Sequence, residues 1–407
     1  MRLGLDRRQS LSEMAGGDSS NWLGDETEAG HAVDQWLHYP PAPAAGHLEA
    51  SDGSSDPRQL DWLRSVFRFT RANGSVMFGP RGRSKARLVE LEGWVRRLGD
   101  PHLGRVIAWW RPSGVIGGGV ESAPPPLPTE LWPDRPLAIL RPDWTPRGDS
   151  LAIDHRTPGL TSTIEVAGRG ATWLGPTWTS PTLVGEVTRA RPTYWVTGPF
   201  ADAYEWSFHV GPTRVTRSAV LVRGRALAIL SQTEQAVGDK LGEVRWSLPE
   251  GVEARPDPES RALILSIGPG RPMARLVPLG LPESSYPTDR GALTAEGREV
   301  VLRQTTEGPN RCLAVMVAWD KKPPKRWRTL TVAEKSSACP PGTAFAARAS
   351  YRPGQGGLLV YRSLGPVGLR SVLGHQTKAR FVVGSFTPSG DVRPWIKVDE
   401  PEPVGDY

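Results

Sequence analysis

Apolar and polar positions alternate along most of the chain after residue 136, whereas before it the apolar positions recur at a longer interval. Thr163-Ile164-Glu165-Val166 and Tyr204-Glu205-Trp206-Ser207-Phe208 change character at each step, the two-residue repeat of a strand. Leu151-Ala152-Ile153, Val215–Val222, Ala226–Leu230, Val244–Leu248 and Ala262–Ile267 also read as strands. Further along, Leu313–Trp319, Leu358–Tyr361, Arg380–Phe386 and Trp395–Val398 do the same. Turn residues separate most of these runs, which predicts sheets packed face to face rather than a βαβ arrangement. No repeat of fixed period is present.

The earlier part follows other rules. Leu60, Leu63, Val66 and Phe67 share one helical face. Phe67-Arg68-Phe69 and Val76-Met77-Phe78 flank Asn73-Gly74, a pattern that predicts a hairpin. Ser84 can cap a helix whose stripe is Leu88, Leu91, Val95 and Leu98 and which Gly99 ends. A further helix fits His102–Trp110. Residues 1–56 carry clusters of breakers and read as a mostly disordered leader, with a short helix near Ala29–Leu37. The expected organisation is therefore a leader (1–56), a small helical and hairpin segment (57–113), a Pro/Gly-rich linker (114–135) and a large antiparallel β-sandwich (136–400). The fold class is mainly β.

Charge adds an asymmetry. The chain of 407 residues has a formal charge of +7, yet residues 1–60 hold four Lys/Arg against ten Asp/Glu, a net of −6 that leaves +13 on the rest. A basic body favours acidic partners: uronate-bearing polysaccharide, nucleic acid or an anionic surface. Cys312 and Cys339 are the only cysteines, and no CxxC pair supports a thiolate metal site or a redox motif. They suit one disulfide or two separate thiols equally. Met1 to Met14 is polar and charged, unlike a secretory signal, and no apolar run approaches a membrane span of roughly 18 residues. A cytoplasmic location is the default expectation.

Ala138-Ile139-Leu140-Arg141-Pro142-Asp143-Trp144 leads into Ser150-Leu151-Ala152-Ile153-Asp154-His155, and Ile164-Glu165-Val166 and Thr172-Trp173-Leu174-Gly175-Pro176 follow. This succession resembles the opening of the C-terminal β domain of heparinase II/III-like polysaccharide lyases. There, an arginine-Gly/Pro-x-Trp segment precedes a strand ending in Asp and a glycine-framed hairpin. Thr213–Glu234 is similar to that family's next segment. The resemblance covers about a third of the chain. It implies a β-sandwich of the kind that packs on a helical toroid. The implied chemistry is removal of a proton α to a uronate carboxyl and elimination across the glycosidic bond, with His, Tyr, Asn and sometimes zinc assisting. The sequence departs from the family in two places. A ring of about a dozen helices needs roughly 200 residues, but only two or three helices are predicted before Pro136. Where relatives are His-rich, Asp154-His155 runs into Arg156-Thr157-Pro158-Gly159.

The polar constellations stand beside plainer readings. His155 suits a general base or ligand, with His209 and Tyr194 as further catalytic candidates, but Asp154 and His155 are consecutive and should face opposite ways. His375 is a third histidine, yet no close ligand pair supports a metal site, and no cofactor is implied. Asp154, Glu165, Asp202 and Glu205 could provide a carboxylate pair, although acidic strand residues usually face solvent. Trp173 and Trp178 could stack on sugar rings or simply fill the core, and Arg141 heads the resembling segment as a ligand contact. Lys325, Arg326 and Trp327 lie in the densest basic run, 321–328, which reads as an extended loop able to grip a polyanion. Gly79–Lys85 and Gly268–Gly270 lack the spacing and context of phosphate loops. The expected function is a non-catalytic or partner-dependent sandwich that binds anionic polysaccharide or a protein partner. One alternative is an active lyase using His155, His209 and a neighbouring Tyr or Arg. The other is a nucleic-acid-associated protein, disfavoured because no DNA- or RNA-binding pattern is present.

Overall fold

The computed structural model describes residues 57–71, 77–78, 85–110, 130–132, 137–143, 145, 148–155, 159–234, 241–269, 273–284, 288–320, 323–351 and 356–399. The expected leader and the glycine-rich part of the expected linker lie outside them. Three helices come first: α1 (Pro57–Arg68), α2 (Lys85–Leu98) and α3 (Pro101–Trp110). Gly99, at φ +66°, ends α2 as its position suggests. The Asp100 carboxylate caps α3 by accepting from the amides of His102 and Leu103 at 2.8 and 3.1 Å. One expectation is corrected here. Phe67-Arg68 continues α1 instead of forming a hairpin strand, because the apolar face begun at Leu63 extends through Phe67 into a buried cluster. The Asn73-Gly74 turn lies outside the described residues.

The rest of the described chain is antiparallel sheet. A nine-stranded helix-side sheet holds β1 (Glu130–Trp132), β2 (Leu137–Leu140), β3 (Ser150–Asp154), β4 (Ser162–Gly168), β5 (Ala171–Leu174), β6 (Thr177–Thr179), β11 (Leu241–Ser247), β15 (Gly291–Glu296) and β16 (Glu299–Thr305). An eight-stranded central sheet holds β7 (Arg191–Thr197), β8 (Ala201–Val210), β9 (Thr213–Val222), β10 (Ala226–Glu234), β12 (Glu253–Pro256), β13 (Leu263–Ser266), β14 (Met273–Pro278) and β17 (Arg311–Ala318), in the order β12-β13-β14-β17-β10-β9-β8-β7. A third sheet runs β18 (Arg326–Thr329), β21 (Ala344–Ser350), β22 (Gly357–Ser363), β25 (Phe381–Phe386) and β26 (Val392–Val398). A small fourth sheet holds β19 (Ala333–Glu334), β20 (Ser337–Ala338), β23 (Arg370–Val372) and β24 (His375–Thr377).

Four buried apolar clusters show how these layers stack. Leu63, Val66, Leu91 and Val106 of the helices meet Leu137, Ile139 and Ala152 of the helix-side sheet. The opposite face of that sheet, with Leu140, Ile153, Trp173, Trp178 and Trp246, packs on Tyr204, Trp206, Ala219 and Val315 of the central sheet. The central sheet's other face, through Ala203, Val220, Ala228 and Met316, meets Ala347, Val360 and Phe381 of the third. The third sheet then covers Val372 of the fourth through Leu359, Tyr361 and Val382. The middle strands of the central sheet, β9, β10 and β17, are thus covered on both faces, and β17 is buried at every position. Such strands lose the apolar-in, polar-out alternation of a half-wet sheet and become continuous apolar runs. Gly168 is required where β4 touches Trp319, since a Cβ there would lie 2.3 Å from the indole. The described residues include no helix long and apolar enough to cross a membrane.

Candidate functional site

The polar groups singled out in the sequence fall into four places. His155 follows β3 and enters the space between the helix-side and central sheets, where it is only 3% exposed. Its ring lies parallel to that of Trp206 at 5.3 Å, and Nε2 is 3.2 Å from the Tyr204 hydroxyl. Burial holds the imidazole far below its ordinary range, at about 3, against the weaker pull of Asp154. A neutral, buried imidazole stacked against two aromatic rings is positioned as a packing element. Beneath it, the buried Arg217 guanidinium donates to Ser162 Oγ at 2.8 Å, to the Trp178 carbonyl at 3.0 Å and to the Leu160 carbonyl. Burial pulls that group down to about 9.

Tyr194 lies elsewhere. In register it pairs with Glu205, whose side chain faces the third sheet, whereas Tyr204 and Trp206 face the helix-side sheet. Tyr194 and His155 are therefore on opposite faces of the central sheet and cannot act on one substrate. His209, near the end of β8, is exposed and shares Tyr194's face. His375 is on the fourth sheet. Among the described residues no group of three or more His, Cys, Asp or Glu side chains is gathered closely enough to hold a metal ion. Both cysteines are free thiols, and burial pushes Cys312 up to about 12.

The carboxylates correct the expectation that strand acids face water. Glu205 is fully buried between the central and third sheets and accepts from Thr193 and Ser218 at 2.7 and 2.8 Å. It also pairs with Arg362, and with Arg380 at 2.7 Å. Burial alone would raise this carboxyl, but the two arginines outweigh it and hold it below its ordinary value. Asp202, equally buried, pairs with Arg223 at 2.9 Å. Glu165 faces the helices, where it accepts from Arg71 Nε at 2.7 Å and from the Phe78 amide at 2.8 Å. Arg141 is buried at the same junction and donates to the Thr70 carbonyl at 3.1 Å. It is therefore a strut between helices and sheet rather than the surface ligand contact its sequence position suggested. Burial lowers it to about 9, partly offset by Glu165.

The aromatic platform is also corrected. Trp173 is 0% and Trp178 1% exposed, so neither presents a face to a sugar ring. Their indoles fill the space between sheets because the flanking strands place them inward. The basic run is only partly as expected. Arg326–Thr329 is an edge strand rather than a loop, and alternation turns Trp327 inward while Lys325, Arg326 and Arg328 stay exposed. The Trp327 indole donates to the Leu281 carbonyl at 2.9 Å, which removes it as a stacking surface. Arg326 pairs with Glu283 at 2.6 Å.

Sequence reasoning missed Arg348. It sits directly across from Arg328 in the β18–β21 register, and its guanidinium lies 5.4 Å from the Phe386 ring centre. Burial, with Arg328 as a second cause, lowers its affinity for its proton. The only sequence signal was one arginine at the polar phase of Ala344–Ser350.

This architecture has counterparts among solved structures. No family model and no curated protein matches the chain. Heparan sulfate lyase HepC from Pedobacter heparinus superposes with a TM-score of 0.53 at 13% identity, over 79% of this chain and 53% of that one. A heparinase III with methylated lysines gives 0.54 at 11% identity, over 93% and 60%. Over the matched part the chain shares their architecture. It spans between half and two thirds of their length, and the likeness at this identity concerns architecture alone. The heparinase-like resemblance read from residues 137–179 thus extends across most of the chain.

Proposed function

We propose that the protein is a heparinase-fold binding module that holds an anionic polysaccharide along the edge of its third sheet. The observation that carries this reading is the cross-strand pair Arg328 and Arg348, which share an exposed face with no carboxylate paired to either among the described residues. Like charges placed directly opposite each other on a sheet disfavour the fold by a few tenths of a kcal/mol to about 1 kcal/mol. A sulfate or uronate between them relieves that repulsion and accepts from both guanidinium groups. Lys325 and Arg326 extend the same basic stripe. The positions of His155 and Tyr194, one enclosed and the other across the sheet, favour binding over β-elimination. Charges on an edge strand also guard it against pairing with other strands, and that role alone would leave the protein without affinity for polyanions.

The test is affinity electrophoresis of the full chain in heparin, heparan sulfate, alginate and chondroitin, alongside absorbance of the unsaturated uronate product. Retention that weakens about tenfold in Arg328→Gln/Arg348→Gln, without product, is the expected result. Product formation abolished by His155→Ala would establish a lyase instead, and equal migration of wild type and variant would leave only the edge-guarding role.

A further inference from the structure

The face that the central sheet turns to the third sheet changes character along its strands. At one end it is apolar, with Ala201, Ala203, Val220, Val222 and Leu230 filling the interlayer. At the other end the in-register rows are polar. Tyr194, Glu205 and Ser218 form one row, Ser207, Thr216 and Gln232 the next, and His209, Arg214 and Glu234 the last. Arg191 sits beside Ser207 at the rim. From the third sheet, Arg362 and Arg380 reach down onto Glu205.

Cations outnumber carboxylates in this recess. Among the described residues, Arg191, Arg214, Arg362 and Arg380 face only Glu205 and Glu234, and Arg214 is 3.8 Å from Glu234. Two hydroxyls inside it have no partner among the described residues: Tyr194 Oη and Thr216 Oγ1, the latter on a residue only 1% exposed. A buried hydroxyl without a partner costs about 1–3 kcal/mol, so such a group normally meets water or a ligand. The recess is open to solvent on one side, where the Arg214 side chain is 39% exposed and that of Arg380 14%. Arg380 is held below the usual guanidinium range by burial, with Glu205 opposing and Arg362 and Arg214 adding to the shift. Arg214 and Arg380 therefore sense each other's charge.

We infer that this end of the interlayer is a binding site for an oxyanion, a sulfate or a carboxylate, which Arg214 and Arg380 attract and the Thr216 and Tyr194 hydroxyls orient. Surplus guanidinium charge and unpaired hydroxyls in one open recess suit an acceptor-only ligand with several oxygens. The site is separate from Arg328 and Arg348 and does not depend on the polymer-binding reading.

The test uses the full chain, titrated calorimetrically with sodium sulfate, sodium phosphate and sodium glucuronate, against sodium chloride at matched ionic strength. Saturable binding of at least one oxyanion is expected, and the three arms show whether sulfate, phosphate or carboxylate geometry fits. Arg214→Gln and Thr216→Val should each weaken that binding about tenfold. Arg214 is partly exposed and Val is isosteric with Thr, so both variants should keep the wild-type circular dichroism. Arg328→Gln/Arg348→Gln should bind the small anion as wild type does. Heats no different from chloride, or affinities unchanged in both recess variants, would overturn the assignment.

Discussion

Glu205→Gln should be among the most damaging isosteric changes available to this fold. The carboxylate is the single anion between Arg362, whose side chain is 2% exposed, and Arg380. Replacing it by an amide keeps the shape, removes the charge and turns an NH2 toward one of the two guanidinium groups, which can only donate. Two arginine charges are then left facing each other inside the interlayer. Leaving a buried charge uncompensated costs about 3–5 kcal/mol. Arg362→Met should cost less, about 1–3 kcal/mol, because Glu205 keeps Arg380 as its partner and loses only one charged hydrogen bond. Adding Arg362→Met to Glu205→Gln should then restore part of the lost stability, since it deletes the stranded cation. Urea unfolding followed by tryptophan fluorescence measures all four proteins, provided the denaturant slope stays constant. A cost below about 1 kcal/mol for Glu205→Gln, or simple additivity in the double variant, would refute the reasoning.

Two further outcomes concern acid and base limits. Asp149 accepts from the Trp319 indole at 2.8 Å and from the Gly224 amide, yet burial raises it from 3.8 to about 6. A folded value above the unfolded one means that the native state binds more protons across that window, so stability falls as pH rises through it. Asp149→Asn should gain on wild type between pH 4 and 7 by an amount on the order of 3 kcal/mol, and a constant difference across that range would count against it. His155 works in the opposite direction. Its folded value of about 3 lies below the ordinary 6.5, so its contribution is present above pH 6.5 and is lost as pH falls. His155→Phe should flatten the acid limb of a stability–pH curve, and an unchanged limb would show that the imidazole takes up its proton in the fold.

Central-sheet strands were legible where Ala226–Leu230 and Leu313–Trp319 run apolar and Val215–Val222 ends in the apolar stretch Ala219–Val222. The helices α1 and α2 were legible from their spaced leucines and the stop at Gly99. What was misread follows from one assumption, that a strand has a wet side. Under it Glu205 and Asp202 belonged to the surface, whereas the central sheet has no wet side along most of its length. The continuity of β17, apolar from Cys312 through Ala318, carried that information, since half-exposed strands seldom run apolar without interruption. The β15–β16 hairpin and β21 escaped notice because small or charged residues such as Ala292, Arg303 and Arg348 break their alternation. Pairing across sheets was not legible at all. Arg362 is far from Glu205 in sequence, and only the stacking of layers brings them together.

The doubly covered central sheet also bears on how the molecule comes apart. Its strands β7 to β10 form a meander joined by short turns, so they can assemble with little loop closure. Apart from the polar rows at one end, β8 to β10 are covered on both faces, so removing the helix-side sheet or the third sheet would expose the middle one at once. The three sheets should accordingly open as one cooperative unit, while the helical layer and the fourth sheet, each covering one side only, can detach at lower free energy. Hydrogen exchange would register this as a common, slowest class of amides across β8, β9, β10 and β17, with α1 to α3 and the fourth-sheet strands β19, β20, β23 and β24 exchanging ahead of them.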